Sequence, residues 1–227
     1  MNENKLTARI VGTLFLIAMA TSLIGGLWME TYLTAPDYLE SFSANAAQVT
    51  TGVMLELING IAVVFIAVLM FPIFKKQNEA MALGYVAFRV IEAVIIISAV
   101  ISPLVLVILS REISSTGTLE VPGFHELAVV MLSVRELLVG QLLGIFFSLA
   151  ALIFYGLLYK SRLIPRWISV WGLLGAISIL TWNLLELFGF HISFGMIFGL
   201  LIITNEIFLG FWLIIKGFNK SEIESAK

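Results

Sequence analysis

Residues 51–74 read TGVMLELINGIAVVFIAVLMFPIF, with one carboxylate and one amide among otherwise apolar or small side chains. Wound as a helix at 1.5 Å per residue, the run measures about 36 Å, enough to cross the ~30 Å hydrocarbon layer of a bilayer. A helix on the surface of a soluble protein carries one apolar stripe. Here the apolar residues go all the way round, as they do when lipid or protein surrounds the helix. An open strand in lipid would leave its backbone groups unpaired, and a barrel needs alternating segments of about ten residues that the run lacks.

Five further runs of the same kind flank it, so the spans expected are 8–28, 51–74, 81–109, 137–158, 167–188 and 193–215. The expected fold is all-α, a polytopic membrane protein forming a single six-helix transmembrane domain over 1–227. Composition agrees: the 227 residues are 60% hydrophobic and 12% charged, about half the charged fraction of a soluble protein. This excludes a soluble enzyme and a disordered chain. The absence of cysteine removes thiol catalysis and cysteine-ligated metals. A formal charge of −2, with no basic run longer than two residues, leaves no footprint for nucleic acid.

The basic residues divide by side. Lys5, Arg9, Lys75, Lys76, Lys160, Arg162, Arg166, Lys216, Lys220 and Lys227 fall at the two ends and in the second and fourth connections. Six spans put all of these on one face of the membrane. The other face has Arg111 alone, beside Glu30, Asp37, Glu40, Glu112, Glu120 and Glu126. The positive-inside rule then makes both termini cytoplasmic. A cleaved signal peptide ending at Ala18-Met19-Ala20 is the alternative for the first run, but its apolar stretch continues to Trp28. Between the first two spans, Pro36-Asp37 looks like a helix start. Tyr38, Leu39, Phe42, Ala46 and Val49 recur at helical spacing, so a short external amphipathic helix is expected there.

Several segments together resemble a known family. Ala8-Arg9-Ile10-Val11-Gly12, Ala87-Phe88-Arg89-Val90-Ile91-Glu92, the connection Leu158-Tyr159-Lys160-Ser161-Arg162-Leu163-Ile164-Pro165-Arg166 and the closing Glu206 to Trp212-Leu213-Ile214-Ile215-Lys216-Gly217 are similar to the bacterial multi-pass family catalogued as domain of unknown function 4386. The Ser-Arg-x-x-Pro-Arg connection is the most specific of them. The resemblance implies a six-span bacterial cytoplasmic-membrane protein and brings no activity, cofactor or site residues.

Ionisable groups inside the spans carry the functional reading, because a charge at the bilayer centre costs about 2.5–3.5 kcal/mol even on the permissive insertion scale. Glu56 and Asn59, Arg89 and Glu92, and Asn183 and Glu186 each stand three apart, which puts both members of a pair on one helix face. Asn205 and Glu206 add to this stripe, and Arg135, Glu136 and Gln141 extend it near the outer entry of the fourth span. Counted from the outer ends, Glu56 and Glu186 lie within about 10 Å of the surface, and Glu92 and Glu206 about 20 Å down. Five glutamates face two arginines, an excess of three negative charges that bound cations or protons must relieve. Arg89 is expected to neutralise Glu92 or Glu206.

The reading these residues support is an outward-facing polar site for a small cationic or protonatable solute, in a protein of transport or binding function. Glu92 and Glu206 would lie at its centre, with Glu56, Asn59, Asn183 and Glu186 as its vestibule. Two alternatives stay open. An intramembrane enzyme on a lipid-like substrate could use Ser98, Ser102, Ser148 or Ser178, though none comes with a histidine base. A non-catalytic subunit, immunity or sensor protein would use the polar pairs only to hold helices together. His125 and His191 lie outside the spans without metal-ligand spacing, so neither a metal nor another cofactor is expected. Gly140–Gly144 and Gly195–Gly199 are expected to bring helices close within one chain.

Overall fold

The computed structural model describes residues 3–33, 42–116, 123–190, 192 and 195–219. Among them the regular elements are helices: α1 (Glu3–Leu33), α2 (Ala46–Lys75), α3 (Glu79–Ala99), α4 (Ile101–Thr116), α5 (Phe124–Leu137), a π-helical turn (Leu138–Leu142), α6 (Leu143–Ser161), α7 (Arg166–Leu187) and α8 (Met196–Ile215). They make six helical segments long and apolar enough to cross a membrane. The third combines α3 with α4, and the fourth combines α5, the π turn and α6. The chain is a multi-pass membrane protein.

The helix ends follow from local chemistry. Asn78 caps α3, its Oδ1 accepting the Met81 N–H at 2.9 Å. Past α7, Gly189 takes φ 83°, and Phe190 N–H bonds Leu185 O while Gly189 N–H bonds Glu186 O. That pair of bonds satisfies carbonyls the helix end would leave free. The Ser-Arg-x-x-Pro-Arg connection is tied to the end of the chain. Arg162 adopts φ 52° there, and Asn219 donates its side-chain amide to Arg162 O at 2.6 Å and its backbone N–H to Leu163 O at 2.8 Å.

Each span packs on its neighbour in sequence, and α1 packs on α8, so the six close into a ring. Short connections dictate the first five contacts. The last depends on glycine: a Cβ on Gly12 of α1 would stand 2.6 Å from the Gly210 carbonyl of α8. The half of the ring nearest the termini is filled by an apolar core that includes Val11, Ile66, Met70, Leu158 and Leu209. At its centre, the rings of Phe15, Phe74, Tyr85, Phe154 and Tyr155 meet tilted or edge-on, with centroids 5.1–5.9 Å apart.

Spans three and four run to 37 and 38 residues, against 22 and 19 for spans five and six. The excess lies on the side opposite the termini, where α4 and α5 pack as a hairpin against α1 and α2. Span three bends between α3 and α4 for a definite reason. Pro103 has no N–H to give the Ala99 carbonyl four residues back, and Arg135 of α5 supplies the missing donor at 3.1 Å. Ser102 also donates to Met131 O across the hairpin.

The fourth span covers the expected 137–158 and extends it: helix starts at Phe124 and continues through a π turn in which Leu143 N–H reaches Leu138 O. Of the short amphipathic helix expected between spans one and two, residues 34–41, with Tyr38 and Leu39, lie outside the described residues; residues 42–44 make one helical turn and α2 begins at Ala46. Phe42 and Val49 pack into a buried core with Met29 and Leu106.

Candidate functional site

The half of the ring away from the termini encloses a cavity of about 290 Å³ to which all six spans contribute. Phe15, Ile66, Phe147 and Ile202 make its apolar wall. Ser22, Leu23, Val139 and Gly140 also line it and are exposed, so the cavity is open at these residues, which lie away from the termini. The aromatic core closes it toward the termini.

Its polar groups arise on different helices. Arg89 and Glu92, one turn apart on α3, form a buried ion pair in which Arg89 Nη1 donates to both carboxylate oxygens, at 3.1 and 2.9 Å. The guanidinium is flanked by the Tyr85 and Phe147 rings, 5.6 and 5.3 Å from its central carbon. Glu206 of α8 also lines the cavity and is buried. It feels the charges of Arg89 and Glu92, yet no hydrogen bond or ion pair reaches it among the described residues. One guanidinium thus serves two carboxylates, and Glu206 is the one left over.

Asn183 reaches the cavity because Gly144 makes room: a Cβ at Gly144 would overlap the Asn183 side chain. Its Nδ2 donates to Ile179 O at 2.9 Å. Trp182 lies in the same way on Gly195, where a Cβ would overlap its ring, and Asn59 of α2 faces the cavity from another side. Gly144 and the Gly195–Gly199 pair therefore accommodate side chains of span five within the chain, whereas a Cβ on Gly140 would meet no other helix among the described residues.

The remaining candidates lie elsewhere. Glu56 does not line the cavity; it forms a buried pair with Arg135, whose Nη2 is 2.5 Å from Oε1. Glu186 accepts the Trp182 ring N–H at 3.3 Å and Ile192 N–H at 3.0 Å, which fastens the turn after α7. Asn205 donates to Ile168 O at 2.9 Å, joining α8 to α7. Glu136 is exposed, and Gln141 sits half-buried in the π turn without lining the cavity. His125 is exposed and His191 lies outside the described residues. Among the described residues no three His, Asp or Glu side chains are grouped as metal ligands. Ser98, Ser102 and Ser148 each donate to a backbone carbonyl.

Sequence reasoning missed the aromatic part of the site. Tyr85 stands four residues before Arg89, a spacing that puts the two on one helix face, so that signal was present. Nothing in the spacing points to Phe147 or Trp182, which reach the cavity through contacts between helices.

The family whose sequence description matches is Domain of unknown function (DUF4386), over residues 10–217. No curated protein and no solved structure matches the chain.

Proposed function

The chain belongs to the DUF4386 family, whose description assigns no activity, and from its site we propose a protein that binds a small organic cation or protonatable amine for passage across the membrane. One observation carries the proposal: Glu206, a buried carboxyl with no partner of its own, faces a cavity built by all six spans beside an already paired Arg89 and Glu92. With all three ionised, the local charge is −1 in surroundings where an unpaired charge is costly. A cationic guest cancels it.

The wall suits the same guest. Phe147 and Trp182 offer ring faces, which attract an ammonium group by about 0.5–2 kcal/mol. Asn59 and Asn183 offer amide groups for a hydrogen bond. The volume is at the small end of ligand pockets, which run from about 300 to 1,000 Å³, so the guest is an amine with a compact apolar body. The excess of basic residues on the side of the termini supports a cytoplasmic placement of both, so that the cavity opens to the outside of a bacterial cytoplasmic membrane. The first three spans and the last three run in opposite orientations, an arrangement that inverted-repeat transporters share.

The test is benzylamine binding to the purified protein by calorimetry, and its uptake into vesicles. Glu206→Gln keeps the shape and removes the charge. It is expected to weaken binding about a hundredfold, or about 2.7 kcal/mol, while the folded protein persists. Unchanged affinity and uptake in that variant would refute the assignment.

A further inference from the structure

The aromatic core that closes the cavity on the side of the termini has a property that sealing does not explain. Phenylalanine is the side chain for a dry plug, and Phe15, Phe74 and Phe154 fill that role. The other two rings are Tyr85 and Tyr155, both fully buried; the Tyr155 hydroxyl has no hydrogen-bond partner, and the Tyr85 hydroxyl and Arg89 Nε have none of good geometry beyond the side-chain interaction of Tyr85 with Arg89 itself. A buried polar atom that has left water without finding a replacement is costly, and such atoms in folded proteins commonly mark a water or ion.

These atoms are grouped. Tyr85 lies one turn before Arg89, with its ring against the guanidinium. Tyr155 comes from the facing α6 and interacts electrostatically with Glu206, Arg89 and Tyr85. Its ring occupies the space left by Gly172 of α7, where a Cβ would overlap it. Three more buried polar atoms on α7 and α8 lack partners: Asn205 Oδ1, next in sequence to Glu206, Ser169 Oγ, one turn inward of Gly172, and Trp212 Nε1. Counted along their helices, all of these residues stand about 5–15 Å from the inner helix ends. They lie at the level of Glu206 or inward of it; none lies in the outer half.

We propose that Tyr155 and Tyr85, with water held among these unpartnered groups, form a proton relay between Glu206 and the side of the termini. The inference rests on the cation site proposed above and adds the coupling ion. One cation arriving at Glu206 from the outer end displaces one proton, which leaves inward through the tyrosine hydroxyls and not back through the cavity. The titratable groups facing Glu206 are Arg89, Glu92 and Tyr85 from α3 and Tyr155 from α6. The cavity-lining residues of α1, α2 and α7 include none.

The experiment uses the full chain in vesicles of one orientation, with a pH-sensitive dye on each side and benzylamine added at the cavity side. The unaltered protein is expected to release about one proton per bound amine on the side of the termini. Tyr155→Phe and Tyr85→Phe keep the rings and remove the hydroxyls. Each is expected to slow that release about a hundredfold, the scale of a lost proton-transfer group, and Tyr155→Phe, at a residue that does not line the cavity, to leave amine affinity in detergent unchanged. Protons emerging on the cavity side, or release at the unaltered rate in the double Phe variant, would overturn the relay. So would amine binding with no proton released, and in each of these cases the binding site stands. Failure of the unaltered protein to bind the amine overturns both.

Discussion

Replacing Arg135 by methionine tests how the outer half of the bundle is held. Arg135 makes two kinds of contact: an ion pair with Glu56 of α2, and a hydrogen bond to the Ala99 carbonyl that Pro103 deprives of its helical donor. The side chains of the pair are 7% and 11% exposed, so the cost of breaking a buried pair applies, about 3–5 kcal/mol. An orphaned Ala99 carbonyl adds about 1–3 kcal/mol, and local relaxation returns part of the sum. The expected loss is about 4 kcal/mol, a large share of the roughly 5–15 kcal/mol that keeps a protein folded. It is read from the unfolding transition in detergent. A second substitution sharpens the test. Pro103→Ala restores an N–H to α4 that can reach Ala99 O, so in that background Arg135→Met is expected to cost about 1–2 kcal/mol less. If Arg135→Met shifts stability by under half a kcal/mol, or if the two changes simply add, the account of the bend is wrong.

Gly144→Ala places a methyl group where the Asn183 side chain now lies. It is expected to cost about 1–3 kcal/mol of stability and, by pushing Asn183 into the cavity, to weaken benzylamine binding more than Gly199→Ala, whose Cβ would meet only ordinary contacts at 3.6 Å. Equal effects of the two in calorimetry would count against the packing described. Asn219→Ala removes the 2.6 Å bond to Arg162 O and is expected to lower thermal stability by about 0.5–1.5 kcal/mol without altering amine affinity.

How much of this was legible beforehand depends on the range of the forces concerned. The six spans could be read because bilayer thickness imposes a length on each apolar run, and the run itself reports it. The starts of spans two and four are less plain, because Ala46 and Phe124 begin their helices among exposed or half-buried residues outside the most apolar stretch of each run. Arg89 and Glu92 could be read as a pair because a three-residue spacing is a local property of one helix. The partner of Arg135 could not, since Glu56 lies 79 residues away and the contact exists only after α2 and α5 meet. Spacing alone likewise grouped Glu186 with Asn183, while the turn after α7 directs the Glu186 carboxylate to Ile192 N–H and Trp182.

The excess of carboxylates settles unevenly. Glu92 and Glu56 take the two arginines, Glu136 is exposed, and Glu186 accepts two N–H groups at the outer end of α7. Glu206 alone brings a carboxyl to the centre of the bundle with no donor to receive it. If its purpose were to hold α8 in place, the arrangement would be redundant, because the adjacent Asn205 already joins α8 to α7 through Ile168 O and Gly12 closes α8 onto α1. Glu206→Leu separates the two roles. Removing a buried, unpartnered polar group for an apolar one of similar size is expected to leave stability unchanged or raise it by about 1–2 kcal/mol, while benzylamine binding disappears. A site residue that costs stability and confers binding behaves in this opposed way. A scaffold residue moves both downward together, so a loss of more than about 2 kcal/mol in the Glu206→Leu unfolding transition, well beyond the few tenths that denatured-state effects usually bring, would assign Glu206 to the scaffold.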